Sequence, residues 1–102
     1  MKTLGLDERL TAGVAQLDPS GDINKGIARL LLFKERRNLT KYELMRRNFE
    51  RKYECNFVIF KEKAAEGKLN YKEEQDFFDW DMAITGTSDI KEKIDCLEEL
   101  IK

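Results

Sequence analysis

Thirty-one residues, from Ile23 to Tyr53, pass without a proline and, after Gly26, without a glycine. A chain of 102 residues that holds such a run has to be assembled around one long helix, because no other stretch buries as much by itself. Stepping 100° per residue from Ile27 gathers Ile23, Ile27, Leu30, Leu31, Asn38, Tyr42, Met45, Phe49 and Tyr53 into a sector of roughly 120°. That sector is the expected buried stripe. Asp22 stands ready as N-cap, with Ser20 and Gly21 breaking the chain before it, so a start near residue 23 has a local cause. An unbroken helix of this length spans about 46 Å, whereas a compact chain of this size has a radius of gyration near ~13 Å. Either part of the helix finds company outside its own chain, or it breaks near Asn38–Thr40.

The charge is divided along the chain. Ile23–Tyr53 carries ten Lys/Arg against three Glu, a net of +7, while Tyr71–Lys102 carries four Lys against ten Asp/Glu, a net of −6; the whole chain stands at −1. The simplest account lays acidic C-terminal helices along the basic one, in the same chain or in a second copy, which makes a homo-oligomer, most simply a dimer, the expected assembly. The competing account is phosphate. Arg29, Arg36, Arg47 and Arg51 fall opposite the apolar stripe, where contacts to a nucleic-acid backbone would need them. No aromatic residue is interleaved there, as a single-strand binder would want.

Ahead of the long helix, Leu6, Leu10, Val14 and Leu17 mark a short amphipathic helix with Asp7 and Glu8 in its first turn. Asp18-Pro19-Ser20-Gly21 is the clearest linker in the chain. Residues 1–21 therefore read as an N-terminal arm, whether mobile, docked on a partner or serving as the first helix of a bundle. Residues 22–102 read as one helical domain. After the long helix, Asn56 can cap a short helix that places Phe57, Phe60 and Ala64 on one face and stops at Gly67. A strand over these residues would have nothing to pair with. Asn70-Tyr71-Lys72-Glu73 is a capping box, and Thr85-Gly86-Thr87-Ser88 carries both stop and start signals. Ile90, Ile94, Leu97 and Ile101 form the stripe of a last helix. The expected fold is all-α: a long helix, a short one and a C-terminal antiparallel αα-hairpin, packed as a helical bundle.

Between the capping box and residue 85, Phe77, Trp80 and Ile84 share one helical face and Tyr71, Phe78 and Met82 another, about 120° away. A helix with two aromatic faces needs two surfaces, and Trp, Tyr, Phe and Met are the types enriched at interface centres. Tyr71, Phe78, Met82 and Trp80 are accordingly the candidate partner-binding residues. Glu73, Glu74, Asp76, Asp79 and Asp81 include carboxylates at i and i+3, a spacing that suits magnesium. The facing helix offers no carboxylate pair, so a solvated or salt-bridged face is expected, with no metal and no cofactor. The chain has no histidine, and no Ser or Cys has a recognisable base, which argues against an enzyme. Cys55 and Cys96 form no CxxC pair, and the sequence leaves a disulfide between them open. With neither a leader nor an apolar run of about 18 residues, a cytoplasmic protein without membrane contact is expected.

Phe49-Glu50-Arg51-Lys52-Tyr53, then Phe57 and Phe60, Gly67-Lys68-Leu69, and Glu74-Gln75-Asp76-Phe77-Phe78-Asp79-Trp80 together resemble a group of small helical microbial proteins, many of them presumed antitoxins encoded beside a toxin. In those proteins a helix ends in a Lys-Tyr-Gly turn, a short helix carries two aromatics, and an acidic, aromatic, Trp-bearing helix follows. The likeness runs from about residue 42 to residue 100, and Glu54 stands where the turn glycine is usual. The resemblance implies a protein that binds and neutralises a partner, with a cognate toxin as that partner. Three functions are thus expected in order: an antitoxin-like interaction module, a nucleic-acid-binding or regulatory protein using the arginine face, and a structural homo-oligomer.

Overall fold

The computed structural model describes residues 7–102. Four helices follow one another: α1 (Glu8–Ala15), α2 (Ile23–Tyr53), α3 (Phe57–Ala65) and α4 (Tyr71–Leu100). Their ends follow from local chemistry. The Asp7 carboxylate accepts from the Arg9 amide, Asp22 from the Lys25 amide at 2.9 Å, and Asn56 from the Ile59 amide at 3.0 Å. Each satisfies a helix-start donor that otherwise has no partner. At Asn70 the box is reciprocal: its side chain accepts from the Glu73 amide at 2.8 Å, and Glu73 accepts from the Asn70 amide at 3.0 Å. α2 stops where Glu54 turns left-handed, at φ +54°, the conformation that a turn glycine adopts at a helix C-terminus.

The contacts divide the chain into two compact units, one of the residues up to Arg37 with Glu92–Lys102, the other Asn38–Lys91. In the first, α1 lies against the start of α2 at Gly26, where a Cβ would sit 2.1 Å from the Val14 carbonyl oxygen. Only glycine permits that approach. Of the roles open to the N-terminal segment, its described part therefore packs as a helix of the fold; Leu6 lies outside the described residues. Asp18, buried in the loop after α1, accepts from the Ser20 amide at 2.9 Å, from the Ser20 hydroxyl, and from Arg29 Nε at 2.7 Å. The Ser20 and Arg29 hydrogen bonds outweigh the cost of burial and hold its pKa down at about 2. Ala28, Leu32 and Ile94 are the buried apolar residues here.

In the second unit α2 and α4 run antiparallel. Tyr42 meets Gly86, Phe49 meets Trp80, and Tyr53 bonds Asp76, so one number rises as the other falls. Trp80 is the centre of this unit and is wholly inaccessible to solvent. Phe49, Phe57 and Phe60 bring their ring centroids within 5.3–5.5 Å of it, and Tyr53 within 6.1 Å. Aromatic side chains bury large areas and dominate the energetics of cores like this one.

One expectation is corrected. The expected αα-hairpin is absent: α4 continues through Thr85–Ser88. Gly86 gives up its role as a stop because its bare Cα lets the Tyr42 ring close in, and Thr87 bonds back to the Ala83 carbonyl at 2.7 Å instead of capping a new helix. α2 runs unbroken from Ile23 to Tyr53, so of the two alternatives the break near Asn38–Thr40 is not taken. Of the expected stripe, Ile23, Ile27, Asn38, Tyr42, Met45, Phe49 and Tyr53 are half-buried. Leu30 and Leu31 face solvent instead, and a run through Ala28, Leu32, Glu35, Leu39, Tyr42, Arg46, Phe49 and Tyr53, at alternating intervals of four and three, is buried or half-buried as well. α4 shows the same alternation through Asp76, Trp80, Ala83, Thr87, Ile90, Ile94 and Leu97. The same spacing is the heptad repeat that coiled-coil helices carry. Gly26 and Ala28 are buried on α2 by being small, which a wheel weighted by large side chains passes over.

Candidate functional site

The capping box fixes where α4 starts, and the burial of Trp80 fixes its rotation. Together they dictate which side chains are left outside. Tyr71, Phe78 and Met82 are 76 %, 70 % and 51 % exposed. Their spacing of seven and four places them within roughly 40° of one another on the helix, a continuous apolar stripe on the outer side of α4. Trp80 does not belong to it. Its indole is core, which corrects its assignment as a partner contact, and its ring nitrogen has no hydrogen-bond partner.

The stripe has a shaped feature. Phe78 stacks on Phe77 with centroids 5.7 Å apart, and with Ala64, Gly67, Leu69 and Glu74 these two rings line a notch of about 260 Å³. The space exists because α3 ends in a left-handed Gly67, at φ +70°, which turns the chain away before it can cover Phe78. Glu74 gives this apolar recess a carboxylate. Glu74, Asp79 and Asp81 are exposed along the stripe and, among the described residues, make no ion pair.

The rest of the acidic group has structural duties. Glu73 belongs to the capping box and lies 3.4 Å from Lys63. Asp76 is buried, accepts from Lys52 Nζ at 2.6 Å and from the Tyr53 hydroxyl, and has Lys72 at 3.9 Å. Burial pushes its carboxyl upward, but the hydrogen bonds from Lys52 and Tyr53 prevail and hold it below the usual carboxylate range. The same contact raises Lys52, and burial together with Asp76 raises Tyr53. Asp76 thus pins the end of α2 onto α4. Among the described residues, no three acidic or sulfur side chains converge as a metal site would require. Both cysteines are free thiols.

The four arginines do not act alike. Arg29 is committed to buried Asp18, and Arg36 lies 3.9 Å from Glu98. Arg47 and Arg51, in the second unit, are exposed and form no ion pair among the described residues. Sequence reasoning singles out Tyr71, Phe78 and Met82 from their shared helical angle, and Glu74 only as a member of the acidic group. The notch escaped it, since only the direction of the chain after Gly67 leaves that space open.

No protein-family model, curated protein or solved structure matches this chain. Among the described residues, no helix is long and apolar enough to cross a membrane.

Proposed function

We propose that this chain is a non-enzymatic protein-interaction module, antitoxin-like in the sense of the family it resembles, which binds a partner protein through the outer face of α4. One observation carries the reading. A single helix presents two aromatic faces, and the fold consumes only that of Trp80, leaving Tyr71, Phe78 and Met82 in water beside a notch. Large apolar side chains clustered on a surface and rimmed by charge are the usual composition of a docking site. A toxin is the partner class that the resemblance adds. Co-expression with the product of the adjacent gene tests it directly. The partner should co-purify with the wild-type chain and be lost with Phe78→Asp, while circular-dichroism helicity stays unchanged; retention by Phe78→Asp would refute the face.

A second reading is favoured by Arg47 and Arg51, which the fold leaves without carboxylate partners. They could meet nucleic-acid phosphate, and binding would then weaken steeply with salt and fall in Arg47→Glu. The commitment of Arg29 to Asp18 removes one of the four cations on which that reading rested.

A further inference from the structure

The outer face of α4 is acidic and aromatic; the outer side of α2 in the same unit is its chemical complement. Arg47 and Arg51 stand one turn apart, Leu44 lies one turn before them at 56 % exposure, and Lys41 is exposed beyond it. None of these cations has an ion pair among the described residues. The intervals match those of α4. If two such helices are laid antiparallel, Arg51 falls opposite Glu74 and the notch, Arg47 opposite Phe78, and Leu44 opposite Asp81 and Met82, because four and then three residues separate the contacts on both sides. Each encounter is chemically favourable. A guanidinium entering the notch lies between the Phe77 and Phe78 rings and the Glu74 carboxylate, with its stem against Ala64 and Leu69. Leu44 covers Met82, and Arg47 reaches over the Phe78 face.

We infer that the occupant of the α4 face is a second copy of this chain, bound through the Leu44–Arg47–Arg51 side of its α2, with an arginine seated in the notch beside Glu74. The inference rests on the proposed role of the α4 face as a docking surface and names what docks there. Every copy carries both halves of the contact, so association proceeds without a foreign partner and weakens with salt, as attraction between exposed opposite charges does.

Sedimentation equilibrium of the full chain at low and high salt is the test, with two charge-reversed variants confined to exposed positions. Wild type should form a dimer or longer assembly, about tenfold or more weaker at high salt. Arg47→Glu/Arg51→Glu should be monomeric, and so should Glu74→Arg/Asp81→Arg. Mixed together, the two variants should associate with each other, since each then presents what the other lacks. A monomeric wild type overturns the inference, as does a mixture that stays monomeric, or variants that assemble like wild type. Salt-sensitive binding of duplex DNA by a monomeric wild type, lost in Arg47→Glu/Arg51→Glu, overturns it in favour of phosphate. The inference and the proposed function fail separately. A monomeric wild type that still loses its co-expressed partner through Phe78→Asp sinks only the self-association. Charge-swapped assembly together with a partner that ignores Phe78→Asp sinks only the partner role.

Discussion

Trp80 and Phe78 lie two residues apart on α4 and have opposite fates. Trp80 is closed off by four aromatic rings, while Phe78 is 70 % exposed. Both are large, aromatic and set in the same acidic stretch, so composition does not separate them. Rotation does. Once Asp76 is tied to Lys52 and Tyr53, the helix has no freedom to turn, and Trp80 points at α2 and α3 while Phe78 points away. Residue type therefore sets how much a side chain gains from burial, and the phase of the helix decides whether it collects that gain or offers it to another molecule.

The sharpest way to break the comparison is at its buried pole. Trp80→Ala should cost about 3–5 kcal/mol of unfolding free energy, the range for deleting a large core aromatic, measured by urea denaturation; a cost near that of a surface substitution would show that the rings around it do not form a core. Next comes the clamp that sets the phase. Asp76→Ala leaves Lys52 and the Tyr53 hydroxyl without their acceptor and should cost about 1–3 kcal/mol.

The acid response of that clamp has a definite sign. The Asp76 carboxyl is depressed in the fold, so its stabilisation is in place above the ordinary value near 3.8 and disappears as pH falls through the lower folded value. Asp18 behaves likewise, between 3.8 and about 2. Thermal melts should therefore decline below pH ~4, and less steeply in Asp76→Ala; equal acid sensitivity would mean that Asp76 is not held as described.

A smaller effect, of opposite sign, is expected at the end of α2. Glu54 occupies a left-handed conformation at φ +54°, which costs a non-glycine residue roughly 1 kcal/mol. Glu54→Gly should raise the denaturation midpoint by up to that amount, and should do so equally in the Phe78→Asp background if the sites are independent. The smallest effect belongs to the exposed pole. Phe78→Asp should change stability by no more than about 0.5 kcal/mol, and a larger loss would place Phe78 in the core and dissolve the comparison.

What could be read from the residues alone divides along the same physical line. Helix starts were legible because caps act locally: Asp22, Asn56 and the Asn70–Glu73 box each satisfy amides within three residues. The two aromatic faces of α4 were legible because angular spacing is a property of the helix itself. The continuity of α4 was not, because Gly86 and Thr87 carry local break signals that the Tyr42 contact and the Ala83 carbonyl override. Nor was the burial of Gly26 and Ala28 on α2. Gly26 and Ala28 line the contact by being small, which a search for large apolar residues passes over. The pairing of Arg29 with Asp18 was hidden for a related reason, since it depends on how the loop after α1 folds back.

The sealed environment of Trp80 has an optical consequence. It is the chain's only tryptophan, its indole nitrogen has no hydrogen-bond partner, and its ring neighbours are three phenylalanines and a tyrosine, so its emission should be blue-shifted and should redden when water arrives. Fluorescence therefore reports on residues 38–91 alone, whereas far-ultraviolet dichroism counts helical turns throughout the chain. Recording both during one denaturant titration would show whether the two halves of α2 and α4 melt in a single step: superimposed curves mean one cooperative transition, and separated curves mean that the aromatic unit keeps its own midpoint.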